Sequence, residues 1–124
     1  MQAALIALTI VLGYLFGGLN GAIIISRCCA HEDVRKKGSG NAGLTNFHRN
    51  YGGGGSLLVI LVDVLKTVAA CLLGSWLMGR YGLADTGRML AGVACMVGHM
   101  FPVYFGFQGG KGILCGAALA ATMD

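Results

Sequence analysis

The sequence is poor in charge. Only 11% of its 124 residues are Asp, Glu, Lys or Arg, against about 25% in ordinary soluble domains. Disorder requires low hydrophobicity and high charge, so a disordered chain is excluded. Nine Lys+Arg against five Asp+Glu leave a formal charge of only +4, too little for a nucleic-acid surface. The five cysteines show no CxxC spacing and are odd in number, so no disulfide framework is implied. Cys28-Cys29 with His31 falls short of a tetrahedral metal site, which needs more ligands at better spacing. No basic residue precedes the first apolar run, and that run is too long for the core of a cleaved signal peptide.

What is abundant is apolar surface and glycine. Hydrophobic residues make up 56% of the chain, and 22 residues are glycine, well above the usual ~7%. A soluble domain of this length could not hide that much apolar surface. The chain reads as a single all-α, polytopic membrane domain over residues 1–124, lying in a lipid bilayer. Spans are expected at about 3–26, 57–79 and 89–105, and an incomplete one at 113–124. The first has no charged residue, and the second is interrupted only by Asp63 and Lys66. The last run, as helix, rises only about 18 Å, short of a ~30 Å hydrocarbon core. Three transmembrane helices plus an incomplete fourth suggest a piece of a larger bundle.

Basic residues near span ends set orientation. The first link holds Arg27, Arg35, Lys36, Lys37 and Arg49, the second only Arg80 and Arg88. The N-terminus is therefore expected outside, with the first link and Lys111 on the cytoplasmic side. Gly13, Gly17 and Gly21 recur at four-residue intervals, a pattern for close helix packing. Gly52–Gly55 reads as a spacer.

Two glycine-rich basic segments would then share one face. In Gly38-Ser-Gly-Asn-Ala-Gly-Leu-Thr-Asn-Phe-His-Arg49, glycines let successive backbone N–H groups converge on an anion. Ser39, Asn41, Thr45 and Asn46 add donors, and Arg49 suits a bidentate phosphate contact. The alternative is a solvated link whose basic residues serve only orientation. Gly38, Gly40 and Gly43 match G-x-G-x-x-G literally, but a dinucleotide fold needs a strand before and a βαβ unit around it. The second segment carries Gly109-Gly110-Lys111-Gly112, preceded by His99 and Pro102. It is no Walker A loop, since Phe105 and Gly112 occupy positions that require Gly and Ser/Thr. The plain alternatives are a snorkelling lysine and a packing histidine. Asp63 and Lys66 lie three apart on one helix face, placed either to neutralise each other or to serve the site.

These residues resemble one family: the bacterial membrane acyltransferases that use acyl phosphate and glycerol 3-phosphate (PlsY), in their N-terminal part. The resemblance rests on Gly38-Ser-Gly-Asn41, Thr45-Asn46 with Arg49, Asp63-Val-Leu-Lys66, Gly98-His-Met-Phe-Pro102 and Gly109-Gly-Lys-Gly112, in order across nearly the whole chain. It implies transfer of a fatty acyl group from acyl phosphate to the sn-1 hydroxyl of glycerol 3-phosphate. The products would be lysophosphatidic acid and phosphate, in phospholipid synthesis at the bacterial inner membrane. It further implies no metal, no cofactor and no obligate protein partner, and a longer parent bundle with a further polar motif.

Carried onto matching positions, Lys111, Arg49, Ser39 and His99 are the expected catalytic residues. Gly38, Ser39, Gly40, Asn41, Thr45, Asn46, Arg49, Gly109, Gly110 and Lys111 are expected to bind substrate phosphate. Ile113-Leu114-Cys115 departs from the family's usual Val-Ala-Thr, and Leu44 from its usual Ala. A competing reading is a non-catalytic or truncated membrane protein, such as a small transporter or accessory subunit holding anionic lipid heads.

Overall fold

Why the first apolar run does not stay one helix is visible at Asn20. The computed structural model describes residues 2–123. Helix α1 (Gln2–Gly17) stops, the chain turns through residues 18–20, and α2 (Gly21–Ala30) starts afresh. Asn20 Oδ1 accepts from Ile23 N–H at 3.0 Å and so caps α2. Its amide donates to the carbonyl of Ala42 at 3.0 Å. The turn frees the Gly17 and Leu19 carbonyls, and both accept from the buried Lys66 ammonium, at 2.9 and 3.2 Å. The single helix expected over 3–26 is thus corrected to two, because a side chain inserted from a neighbour satisfies the broken backbone.

The second span is longer than its apolar core. Helix α3 (Leu44–Tyr51) is followed directly by α4 (Gly53–Gly79). The expected spacer at 52–55 is therefore helical from Gly53 onward. Gly52 alone makes the turn, with φ of 82°, a region that favours glycine. Gly55 lets α4 sit on α3, since a Cβ there would lie 2.8 Å from the Phe47 ring. Helix α5 (Ala84–Met100) begins five residues before the expected span and ends before Pro102, whose ring cannot continue a helix. A short 3₁₀ turn at Val103–Phe105 follows, then α6 (Ile113–Thr122). The expected end of the last run, Asp124, lies outside the described residues.

Among the described residues the structure is all-helical, and three helical stretches (Gln2–Ala30, Gly53–Gly79 and Ala84–Phe105) are long and apolar enough to cross a membrane. Helices α1, α4 and α5 pack on one another, α6 lies against α4 and α5, and α2 and α3 lie against α4. The turn between α4 and α5 stands at one end of the bundle. The loops after α2 and after α5 meet at the other, where Ala42 N–H donates to the carbonyl of Gly109. Large apolar side chains such as Leu57, Leu65, Leu72 and Trp76 face outward from α4, as lipid-facing positions do.

Candidate functional site: a basic cavity at one end of the bundle

The loop after α2 is shaped by residues that never reach solvent. Asn46 is buried on α3. Its amide nitrogen donates to the carbonyls of Val34, Lys37 and Asn41, at 3.0–3.1 Å. Its Oδ1 accepts from Ser39 N–H and from Asn50, at 3.1 and 3.0 Å. One side chain thus winds residues 34–41 around itself. Gly38 and Gly40 take positive φ, 54° and 78°, to make that path possible.

Arg35 ties this loop to the second glycine-rich segment. Its guanidinium donates to the carbonyls of Phe105 and Gln108, at 2.5 and 3.0 Å, and pairs with Asp33 at 2.7 Å. The Arg35 hydrogen bond and charge hold the Asp33 carboxyl well below the ordinary carboxylate range. A depressed folded-state value means that this contribution to stability is whole above the unfolded value, near 3.9, and is lost as pH falls below it. Protection of the 37–43 loop amides, taken relative to the unstructured exchange rate at each pH, is therefore expected to be high at neutral pH and to fall under acid. Asp33→Asn should show the lower protection already at neutral pH; equal protection in the two proteins would detach Asp33 from loop order.

Between these segments lies a cavity of about 410 Å³. Ser39, Asn41, Thr45, Asn46, Arg49, His99 and Lys111 all line it. Gly38, Gly40, Gly109 and Gly110 are not among its lining residues. Gly109 and Gly110 donate to the carbonyls of Met100 and His99, at 3.0 and 3.1 Å. A Cβ on Gly110 would meet His99 Nε2 at 2.7 Å and collide with the Ala42 carbonyl. These glycines therefore permit close approach between the two loops and the histidine.

The cavity's charge is unspent. Arg27, Arg35, Lys37 and Lys66 all have carboxylate partners. Arg49 and Lys111 line the cavity, are exposed, and have no ion-pair partner among the described residues. Helices α3 and α6 both begin at its edge, with Gly43 and Gly112 as N-caps and no side-chain cap on either. The first-turn amides of both therefore lack helical acceptors and add positive potential for an anion. On the far side, Leu44, Ile113, Leu114 and Ala117 complete the lining. The chamber joins a cationic end to an apolar flank.

Asp63 also lines the cavity, in a buried cluster that spacing alone left open. Its Oδ1 lies 3.1 Å from Lys66 Nζ and accepts from Gly21 N–H at 2.9 Å. Lys66 Nζ is in turn 2.8 Å from His99 Nδ1. Sequence reasoning missed Asn20 and Arg35 as organisers. A polar Asn inside an uncharged apolar run was a usable signal for the first. Nothing distinguished Arg35 from its basic neighbours.

A family model described as glycerol-3-phosphate acyltransferase matches residues 7–124. The chain belongs to this family. It is 44% identical over 124 residues to a glycerol-3-phosphate acyltransferase of Shouchella clausii (strain KSM-K16), covering 99% of this chain and 58% of that protein. Among solved structures it is similar to PlsY (YgiH), an integral membrane glycerol 3-phosphate acyltransferase. The glycerol 3-phosphate form superposes with a TM-score of 0.82 at 30% identity, over 96% of this chain and 57% of that one. The lysophosphatidic acid form gives a TM-score of 0.78 at 28% identity, with the same coverage. The chain thus spans a little over half the length of these acyltransferases. Membership agrees with the motif resemblance and with the all-helical membrane architecture.

Proposed function

We propose that the protein transfers a fatty acyl group from acyl phosphate to glycerol 3-phosphate, giving lysophosphatidic acid and inorganic phosphate. The observation that carries this reading is the pairing, in one cavity, of unpartnered cations with an apolar flank. Both substrates bear phosphate, and one also bears a long apolar tail. Arg49, Lys111, Ser39 and Asn41 suit the phosphates, and the Leu44–Ile113–Leu114 side suits the tail. The PlsY structures in glycerol 3-phosphate and lysophosphatidic acid forms support the acceptor and the product.

Acyl phosphate is an activated mixed anhydride, so no covalent enzyme nucleophile is needed. The glycerol hydroxyl oxygen bonds to the acyl carbon, the bond between that carbon and the phosphate oxygen breaks, and phosphate leaves with the hydroxyl proton. Holding the two phosphates side by side makes the attack effectively unimolecular. The cations stabilise charge as it moves onto the leaving phosphate. Ser39, Arg49, His99 and Lys111 are the residues assigned to this work, with Gly38, Gly40, Gly109 and Gly110 supplying backbone around them. No metal or cofactor enters the scheme.

The inner membrane of a bacterium is the proposed location, with the cavity facing the cytoplasm and the N-terminus outside. The basic first link supports that orientation. A transporter would more often place its polar site at midplane between discontinuous helices, whereas the free cations here sit at one end of the bundle.

The test is phosphate release in membranes carrying the protein. Release is expected to require both acyl phosphate and glycerol 3-phosphate and to yield lysophosphatidic acid, with acyl-CoA failing as donor. Phosphate release independent of glycerol 3-phosphate would remove the acyltransferase reading. Activity with acyl-CoA alone would remove the acyl-phosphate part of it.

A further inference from the structure

The buried Lys66 has more structure around it than neutralisation of Asp63 requires. Its Nζ meets three oxygen acceptors: Gly17 O at 2.9 Å, Asp63 Oδ1 at 3.1 Å and Leu19 O at 3.2 Å. Beside a carboxylate and two carbonyls the group stands as an ammonium, whose three hydrogens are shared among these oxygens and the neighbouring ring nitrogen. An ammonium has three donors and no lone pair. The fourth neighbour, His99 Nδ1 at 2.8 Å, must then be an acceptor. Asp63 Oδ1 lies 3.9 Å from that nitrogen, too far to take a proton from it in a hydrogen bond.

In a neutral imidazole, the nitrogen that accepts determines which one carries the hydrogen. The Nδ1 lone pair is turned to Lys66, so the proton sits on Nε2. That nitrogen lies against Gly110, beside Lys111, where a side chain on Gly110 would displace it. The groups facing the ring are Asp63 and Lys66 from α4 and Cys115 from α6, with Lys111 and Arg49 lining the same cavity.

We propose that Lys66 is a positioning residue for His99: by donating to Nδ1 it fixes the Nε2–H tautomer, so that His99 offers the cavity a hydrogen-bond donor for a phosphate oxygen or developing oxyanion. His99 is then no base for the glycerol hydroxyl. The same ammonium holds the two carbonyls of the α1–α2 break, so the orientation of the ring is keyed to the helix interruption. The role in transfer rests on the acyltransferase reading; the tautomer does not.

The experiment separates the two. The protein is labelled with 15N-histidine in lipid nanodiscs, and the His99 resonances are assigned through their loss in His99→Gln. His99 is expected to carry its proton on Nε2 in the parent protein and to become a mixture of tautomers in Lys66→Met. Asp63→Asn/Lys66→Met removes both charges and keeps an acceptor for Gly21 N–H, so it serves if the lone carboxylate prevents folding. In transfer assays, the folded variant should lose about tenfold or more in kcat, less than the 10²–10³ of deleting a donor outright, with KM for glycerol 3-phosphate little moved. An Nδ1-protonated His99 in the parent overturns the proposal, as does a tautomer that ignores the loss of Lys66. An altered tautomer with unchanged kcat overturns the positioning role. A parent with the Nε2–H ring but no transfer activity overturns the acyltransferase reading and supports the tautomer assignment.

Discussion

Lys111→Ala is expected to lower glycerol-3-phosphate-dependent phosphate release by about 10²–10³-fold, the usual cost of deleting one preorganised stabiliser of developing charge. The expectation follows from what Lys111 does not touch. It lines the cavity, is exposed and has no carboxylate partner among the described residues, so its removal leaves no buried group unsatisfied. Thermal stability should therefore stay near that of the parent while turnover falls. Arg49→Ala should behave alike, for the same reason. The double variant should lose less than the product of the single losses, because two cations on one departing phosphate act as a unit. Lys111→Arg keeps the charge but replaces a mobile point charge with a planar fork, and should recover only part of the rate. The check is phosphate release by each variant at matched amounts of folded protein. Unchanged turnover in Lys111→Ala would remove Lys111 from the site.

The same cavity shows which parts of the site the sequence carried. Ser39, Asn41, Thr45, Arg49 and Lys111 were legible because their types suit an anion and their glycine neighbours announce irregular backbone. Long apolar runs pointed to the helices, and basic-residue counts to one shared face for the two loops, which do meet at Ala42 and Gly109. What stayed hidden depends on contacts between distant residues. The Asn46 amide is indistinguishable in sequence from a ligand, yet it is engaged by the carbonyls of residues 34, 37 and 41. The break in the first apolar run arises because Lys66, 47 residues after Leu19, supplies the missing donor. Hydropathy cannot register that, since a satisfied break and a continuous helix have the same composition. Helix α4 likewise starts in Gly53–Gly55, where propensity argues for a spacer; packing on Phe47 overrides it.

Gly17→Ala is expected to be among the most damaging single changes available, although it adds only one methyl group. Helices α1 and α5 meet backbone to backbone. A Cβ on Gly17 would collide with the Cys95 carbonyl, one on Gly13 would lie 2.5 Å from the Ala91 carbonyl, and one on Gly98 would collide with Tyr14 O. Backbone cannot rotate aside as a side chain can, so the helices must separate. Within a bilayer no hydrophobic force drives them back together, and association rests on close packing. Overpacking usually costs about 1–3 kcal/mol, and Gly17 should reach the upper end or exceed it. Its carbonyl also accepts from Lys66, so the displacement carries into the Asp63–Lys66–His99 cluster and should lower transfer activity as well. Two controls isolate the cause. Gly18→Ala crowds the Tyr104 ring, whose side chain can move, and meets backbone only at Leu15 O, at an ordinary 3.6 Å, so it should cost less. Gly54 is helical, with nothing within 4 Å of a built Cβ, so Gly54→Ala should stabilise by up to about 1 kcal/mol through helix propensity alone. Thermal unfolding in one detergent should rank the variants Gly54→Ala, parent, Gly18→Ala, Gly17→Ala, from most to least stable. If Gly17→Ala unfolds with the parent, the α1–α5 seam is not held by backbone contact, and the keying of the cavity to the helix break loses its mechanical basis.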